Sequence, residues 1–318
     1  MTNSLWPGLG YGILSFIFFG LYAVPRRYTE SPTPQFLLIM GITISACTSI
    51  SALLFTERLA VSFSQIVLSY VSGLLWFTGT ICYIYAIDCV GVGRATTVKN
   101  LTVILGVFFG LLIFREFSWQ DRLSLALLGT ATLFILLSTI ILGKLVPTAE
   151  LAKRSCPLFL IKPRRKKTSH YTLVGFVLAL AAALFYALFG VPGKMVLESM
   201  DSVWPYFMFT GQGILVGSLV FYFILAKRRN WNGVFLKDNF WGMLSGILWV
   251  LAFASMANTL KLLGMAMAWP IANLNTIVTV LYSSLILREI SLRYQAKRVF
   301  AGFILGITGI ALLAGARV

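Results

Sequence analysis

The residues able to do chemistry in this chain lie within apolar runs, where a polar group is costly and therefore a functional suspect. Residues 93–114 hold Arg94, Thr96, Thr97, Lys99, Asn100 and Thr102, and residues 265–287 hold Trp269, Asn273, Asn275 and Thr276. Helical spacing of three or four puts Thr96, Lys99 and Asn100 on one face, and Trp269, Asn273 and Thr276 on another. An amide offers donors and acceptors to a polar solute. It equally serves as a link between helices, at about 0.6 kcal/mol per hydrogen bond in a membrane. Lys99 is set well inside its run, about a turn and a half from the start. An ammonium there suits a phosphate or a carboxylate, or else its stem carries the charge back to the surface. Trp76 and Trp249 offer flat faces for stacking, or act as packing anchors. Tyr22, Tyr85, Tyr186 and Asn258 are weaker candidates of the same kind.

Other chemistries lack their parts. The acidic residues (Glu30, Glu57, Asp88, Glu116, Asp121, Glu150, Glu198, Asp201, Asp238, Glu289) fall between the apolar runs or at their ends. A proton relay places an acid at membrane depth, and Asp88 comes nearest. The single histidine, His170, lies far from the apolar centres, and the cysteines (Cys47, Cys82, Cys89, Cys156) have neither metal-ligand nor redox spacing. They read as small apolar fillers. No catalytic cluster, metal or cofactor is expected. Glu116 and Glu289 are expected to pair with a nearby arginine or to cap the helices that follow them.

The elements that carry these residues follow from composition. The chain has 318 residues, 58% hydrophobic and 11% charged, with mean hydropathy +0.88. A soluble domain carries about 25% charge. Ten apolar stretches are long enough to cross a hydrocarbon core as helices: 5–24, 35–55, 65–87, 93–114, 122–142, 172–194, 205–225, 240–260, 265–287 and 297–314. The net charge of +16 sits between them and argues for membrane topology, with no nucleic-acid partner. Residues 143–171 are polar and strongly basic, with Lys162, Arg164, Arg165, Lys166 and Lys167 in one cluster. They read as a linker that lies in solvent or against anionic headgroups.

An internal repeat organises the ten spans. A shift of 167 residues sets Gly8, Val24-Pro25 and Arg27 on Gly175, Val191-Pro192 and Lys194. A shift of 171 sets Pro34 and Phe36 on Pro205 and Phe207. At 173, Ser72-Gly73 and Leu75-Trp76 fall on Ser245-Gly246 and Leu248-Trp249, and Asn100-Leu101 falls on Asn273-Leu274. The same shift carries Arg115-Glu116 and Ser118 onto Arg288-Glu289 and Ser291, and Gly129 onto Gly302. The chain divides into a five-span unit (1–142), the linker (143–171) and a second unit (172–318). Five is odd, so the second copy must enter the membrane from the opposite side. Inverted repeats are a mark of secondary transporters, with the solute site near the midplane. A channel or a membrane scaffold is the competing reading.

Basic residues set the expected orientation. Eight lie in the linker, and most others flank the ends of spans on its side. Arg58, Arg115, Arg122, Lys194, Lys261 and Arg317 lie on the other side. Both termini are expected on the non-cytoplasmic face, in a plasma or inner membrane.

A Gly-rich first helix ending in Val-Pro-x-Arg/Lys, an Arg-Glu-x-Ser turn and a Gly-spaced last helix together resemble the drug/metabolite transporter superfamily, EamA-like members included. The double Val-Pro turn and the aromatic first helices look most like its glucose/ribose porter and rhamnose transporter branches. The resemblance implies a basket of ten helices around a central cavity and a carbohydrate substrate moved by uniport, symport or exchange. A phosphorylated or nucleotide-linked sugar is the nearest rival, followed by export of an amino acid or a drug. Asn100, Asn273, Asn275, Thr96 and Lys99 would then meet sugar hydroxyls, with Trp76, Trp249, Trp269, Tyr22 and Tyr186 against the ring. The glycine pairs Gly106/Gly110 and Gly302/Gly306 permit close helix approach within one chain or in a homodimer.

Overall fold

The computed structural model describes residues 2–56, 61–116, 121–143, 145, 168–226, 239–288 and 292–316, and all regular elements among them are helical. In chain order these are α1 (Thr2–Leu21), α2 (Thr33–Phe55), α3 (Phe63–Val90), α4 (Val92–Lys99), α5 (Thr102–Leu112) and α6 (Arg122–Gly143). The second set is α7 (Thr168–Glu198), α8 (Trp204–Ala226), α9 (Asn239–Leu263), α10 (Met265–Asn273), α11 (Asn275–Leu285) and α12 (Leu292–Gly315). With α4–α5 and α10–α11 each counted as one crossing, ten spans of 21 to 28 residues are long and apolar enough for a bilayer. At 1.5 Å per residue they reach about 30–42 Å. The chain is an all-α, multi-pass membrane protein. Of the basic linker, residues 144 and 146–167 lie outside the described residues.

Burial is inverted relative to a soluble protein. Leu54, Phe63 and Leu123 are 72%, 80% and 72% exposed. The interior meanwhile holds Thr48, Ser69, Ser72, Thr80, Ser245 and Thr259 fully buried. Lipid accepts the first set, and local hydrogen bonds satisfy much of the second. Thr48, Thr80 and Thr259 each donate to the carbonyl four residues back at 2.8–3.0 Å. Cys47 and Cys82 are free, as expected of fillers, but Cys89 is disulfide-bonded and departs from that reading.

Local sequence explains the joints. Ser62 and Gln65 form a reciprocal cap at the start of α3. Gly91 and Gly264, which coincide in the repeat, have φ of 86° and 81° and join α3 to α4 and α9 to α10 without a loop. A side chain there would be strained. Arg115 and Arg288, also repeat partners, have φ of 49° and 53°. At the first of these, the Glu116 N–H reaches back to the Gly110 carbonyl at 3.1 Å, a left-handed helix ending made without glycine.

The two halves are interleaved. The first helix of each half lies against the third helix of the other, α1 on α9 and α7 on α3. The contacts run antiparallel: Gly8 meets Leu263 and Gly12 meets Thr259, while Gly175 meets Val90 and Gly79 meets Tyr186. Matched hydroxyls tie these pairs. Ser72 Oγ donates to the Phe189 carbonyl at 3.0 Å, and its repeat partner Ser245 donates to the carbonyl of Tyr22. The second helices pair (α2 with α8), as do the fifth (α6 with α12). Gly106, Gly110, Gly302 and Gly306 are all packed against neighbours in the same chain.

Candidate functional site

Spans 4 and 9 were expected as continuous helices, and both are broken near the middle. Asn100 and Leu101 separate α4 from α5, and Leu274 separates α10 from α11. At each break the backbone tightens to i→i−3 bonds, Leu101 to Val98 and Leu274 to Ile271, both 3.1 Å. The halves cross-pair, α4 with α11 and α5 with α10, so the two breaks meet in the interior. Discontinuous helices facing one another at mid-membrane make a solute site without exposing backbone to lipid.

Asn100 binds the breaks together. It is fully buried, and its amide Nδ2 lies 2.5 Å from the Asn273 carbonyl and 2.6 Å from Asn275 Oδ1, with Thr276 Oγ1 also in contact. Two N–H bonds are thus shared among three acceptors. Asn100 Oδ1 has no hydrogen-bond partner. Asn273 points its own amide at the Trp269 carbonyl, 2.7 Å away.

Beside this junction is a cavity of about 460 Å³, counted with its open end. Span 9 contributes Trp269, Ala272, Asn273 and Asn275, and span 4 contributes Lys99 and Thr102. The remaining wall comes from Phe19 and Tyr22 of the first span, Trp76, Tyr186, Phe189 and Met256. Thr102 Oγ1 is buried on this wall without a hydrogen-bond partner. The indole of Trp269 fits a slot left by two glycines: a Cβ at Gly106 or at Gly190 would come within 2.3 Å of its atoms.

The polyphenol side of the cavity is a connected network. Tyr22 and Tyr186 share a hydroxyl hydrogen bond of 3.1 Å, and Tyr186 also meets Thr80 at 3.1 Å. Tyr83 bonds Thr96 at 2.5 Å. Ring centroids of Tyr22, Trp76, Tyr83 and Tyr186 lie 6.1–6.3 Å apart around it. The Lys99 ammonium rests over the faces of Tyr83 and Tyr186, 5.5 and 5.6 Å from their centroids. The residue is 5% exposed, and the stem turns inward to the cavity and not out to the surface.

The structure therefore brings together Lys99, Asn273, Asn275, Trp76, Trp269, Tyr22 and Tyr186 of the residues singled out by sequence. Asn100 stands behind the wall as the tie between the breaks. Thr96 stands behind it too, bonded to Tyr83 and to the Val92 carbonyl. Trp249 backs Trp76 at 4.6 Å and stacks on Phe253 at 4.5 Å, with its Nε1 unpartnered. Sequence reasoning missed Phe19, Phe189, Met256 and Tyr83. The signal for two of them was present, because Phe19 and Phe189 are the repeat partners of Tyr186 and Tyr22.

Ion pairs close the helix ends. Glu116 was expected to pair with an arginine or cap the next helix. Instead its Oε1 and Oε2 accept the Met265 and Ala266 N–H at 2.5 and 2.6 Å, capping α10, and Lys194 pairs with it at 2.9 Å. The carboxylate is 6% exposed and sits where a helix N-terminus favours negative charge. The next helix, α6, is capped by Asp121, which accepts the Ser124 N–H at 3.0 Å. Hydrogen bonding from the Ser124 side chain, and next from its N–H, holds the Asp121 carboxyl below its ordinary pKa. A further pair is Arg26 with Asp88, 3.1 Å, each 8% exposed. Arg26 also donates to the Ser31 carbonyl at 2.9 Å and Thr33 Oγ1 at 3.2 Å. Glu289 lies outside the described residues.

Comparison with known proteins places this site in context. The family described as "Sugar transport protein" matches residues 4–316. The "Glucose uptake protein GlcU" of Bacillus subtilis is 23% identical over 311 residues, 98% of this chain and 96% of its own length. A Listeria monocytogenes protein named for sugar uptake is 22% identical over 311 residues, with the same coverage of 98% and 96%. One solved crystal structure shares the fold, with a TM-score of 0.64 at 15% identity, over 96% of this chain and 95% of that one.

Proposed function

This chain belongs to the sugar transport protein family, within the drug/metabolite transporter superfamily, and on that premise we propose that it carries a monosaccharide across a membrane by alternating access. The observation that carries the reading is the cavity at the two helix breaks. It combines aromatic faces (Trp76, Trp269, Tyr186) with amides (Asn273, Asn275) and an unpartnered hydroxyl (Thr102). Aromatic planes suit the C–H faces of a sugar ring, and amides suit its hydroxyls.

The mechanism rests on two five-helix units, 1–142 and 172–318, acting as inverted repeats on either side of the linker. Support comes from the antiparallel contacts of α1 on α9 and α7 on α3, and from the matched Ser72 and Ser245 bonds. In this reading Glu116–Lys194 and Arg26–Asp88 are latches at opposite ends of the cavity. Opening an end gives its pair to water, which replaces the interactions that each charge loses, and leaves the other latch shut. Each pair thereby holds its own end shut until that end opens to water. The sidedness of basic residues puts both termini outside and the Arg26–Asp88 latch in the cytoplasm, in a plasma or bacterial inner membrane. The linker then lies near anionic lipid. A single chain completes the cavity, so a monomer suffices.

The test is counterflow in proteoliposomes. Preloading with an unlabelled monosaccharide should speed uptake of the labelled one several-fold over empty vesicles. Equal rates with and without preloading would indicate a channel, and no uptake of any sugar would overturn the reading.

A further inference from the structure

Lys99 carries an observation that a neutral sugar leaves unexplained. Its ammonium is on the cavity wall, the residue is 5% exposed, and among the described residues no carboxylate or hydrogen-bond acceptor partners it. The faces of Tyr83 and Tyr186 are its polar surroundings. Other buried cations here are treated differently. Arg26 has Asp88, and Lys194 has Glu116 and Glu198. Two ring faces recover only part of the hydration that a buried ammonium gives up. A hydroxyl-bearing solute adds dipoles to that site, whereas an anionic solute supplies the missing charge.

We propose that the cavity selects a monosaccharide bearing one carboxylate, a uronic or aldonic acid, with Lys99 as its counter-ion. This rests on the reading of the chain as a sugar carrier and assigns the substrate class of the same site. Two features argue for a single carboxylate over a phosphate. The cavity wall has one charged residue, Lys99, which balances one negative charge. A phosphate monoester brings about 1.5 to 2 negative charges at neutral pH. Furthermore, the wall near Lys99 is made of rings, with no guanidinium among the described residues to hold phosphate oxygens in a fork. The sugar ring would lie toward Trp76 and Trp269, with its hydroxyls at Asn273, Asn275 and Thr102.

The repeat sharpens the assignment. A shift of 173 residues sets Lys99 on Ala272, which is also on the cavity wall. The charge is therefore not a requirement of the helix break, since the equivalent break is built without one.

The experiment is counterflow by the full chain in proteoliposomes, with D-glucuronate, D-glucose and D-glucose 6-phosphate as parallel solutes. The wild-type protein and the Lys99→Gln and Lys99→Arg variants are compared, and unliganded thermal melting serves as the folding control. Wild-type should favour glucuronate over glucose by roughly thirty-fold or more, the loss expected when one partner of a buried charge pair is absent. Lys99→Gln should erase that ratio, and Lys99→Arg should keep most of it. The wild-type ratio needs no variant, so a misfolded mutant leaves the test intact. Glucose moving as well as glucuronate overturns the proposal and leaves the sugar-carrier reading standing. Preference for glucose 6-phosphate overturns the carboxylate assignment. Trans-stimulation by none of the three overturns this proposal, and extension of the failure to a wide panel of sugars overturns the carrier reading as well.

Discussion

Spans 4 and 9 occupy equivalent places in the repeat, yet they bring different chemistry to the cavity between them. In the 173-residue register Asn100 falls on Asn273 and Thr102 on Asn275, so each break is built from small polar side chains. Lys99 falls on Ala272 and Thr96 on Trp269. Span 4 thus supplies a charge where span 9 has a methyl group, and span 9 supplies an indole where span 4 has a hydroxyl. The first helices are exchanged in the same way, Phe19 with Tyr186 and Tyr22 with Phe189, all four on the cavity wall. Matched positions build joints that both halves need, such as Gly91 with Gly264 and Ser72 with Ser245. Unmatched positions make up much of the cavity wall, alongside the matched Trp76 and Asn273.

Substitutions can break this comparison, and the largest effect is expected at the span 9 indole. Trp269→Ala removes the wall and leaves the slot between Gly106 and Gly190 empty. We expect a stability loss of about 3–5 kcal/mol in chemical denaturation and no measurable counterflow. Normal counterflow would show that the indole is filler. The latches come next. Glu116→Gln weakens the pair with Lys194 and the cap on α10, at a cost of up to about 3 kcal/mol. Labelling of an introduced cysteine should then rise at that end alone, while Asp88→Asn should raise it at the opposite end. Both variants opening the same end would contradict the two-latch scheme.

The two asparagines sharpen the comparison on a smaller scale. Asn100→Ala should act on stability, by about 1–2 kcal/mol, because its amide ties the breaks together. Asn273→Ala should instead raise the half-saturation concentration about tenfold, with little change in melting. Reversal of those two outcomes would exchange their roles. Tyr22→Phe is the mildest, removing one hydroxyl hydrogen bond to Tyr186. About 1 kcal/mol, or about a fivefold change in apparent affinity, is expected from transport kinetics.

Much of this architecture is legible in sequence because lipid imposes strong rules. Runs of about 20 apolar residues mark crossings, and the repeat registers fix which crossings correspond. The expected Trp76, Lys99, Asn273 and Asn275 do reach one cavity, Asn273 and Asn275 from either side of the break in span 9. The breaks at Asn100 and Leu274 were not legible, since a polar residue in an apolar run is compatible with an unbroken helix. Glu116 was misread because its partners, Lys194 and the Met265 and Ala266 N–H groups, are 78 and about 150 residues away in sequence. Local spacing has no access to such a contact. Likewise the position of Lys99 in its run is equally compatible with snorkelling, and the rings of Tyr83 and Tyr186 that hold it inward come from other spans.

The most direct test of the account is a structure of the protein saturated with the sugar that gives the strongest counterflow. The account predicts density for one pyranose ring against Trp76 or Trp269, with hydroxyl oxygens within about 3.2 Å of the Asn273 or Asn275 amide. Sugar density away from the two helix breaks, or an empty cavity at saturation, would contradict it.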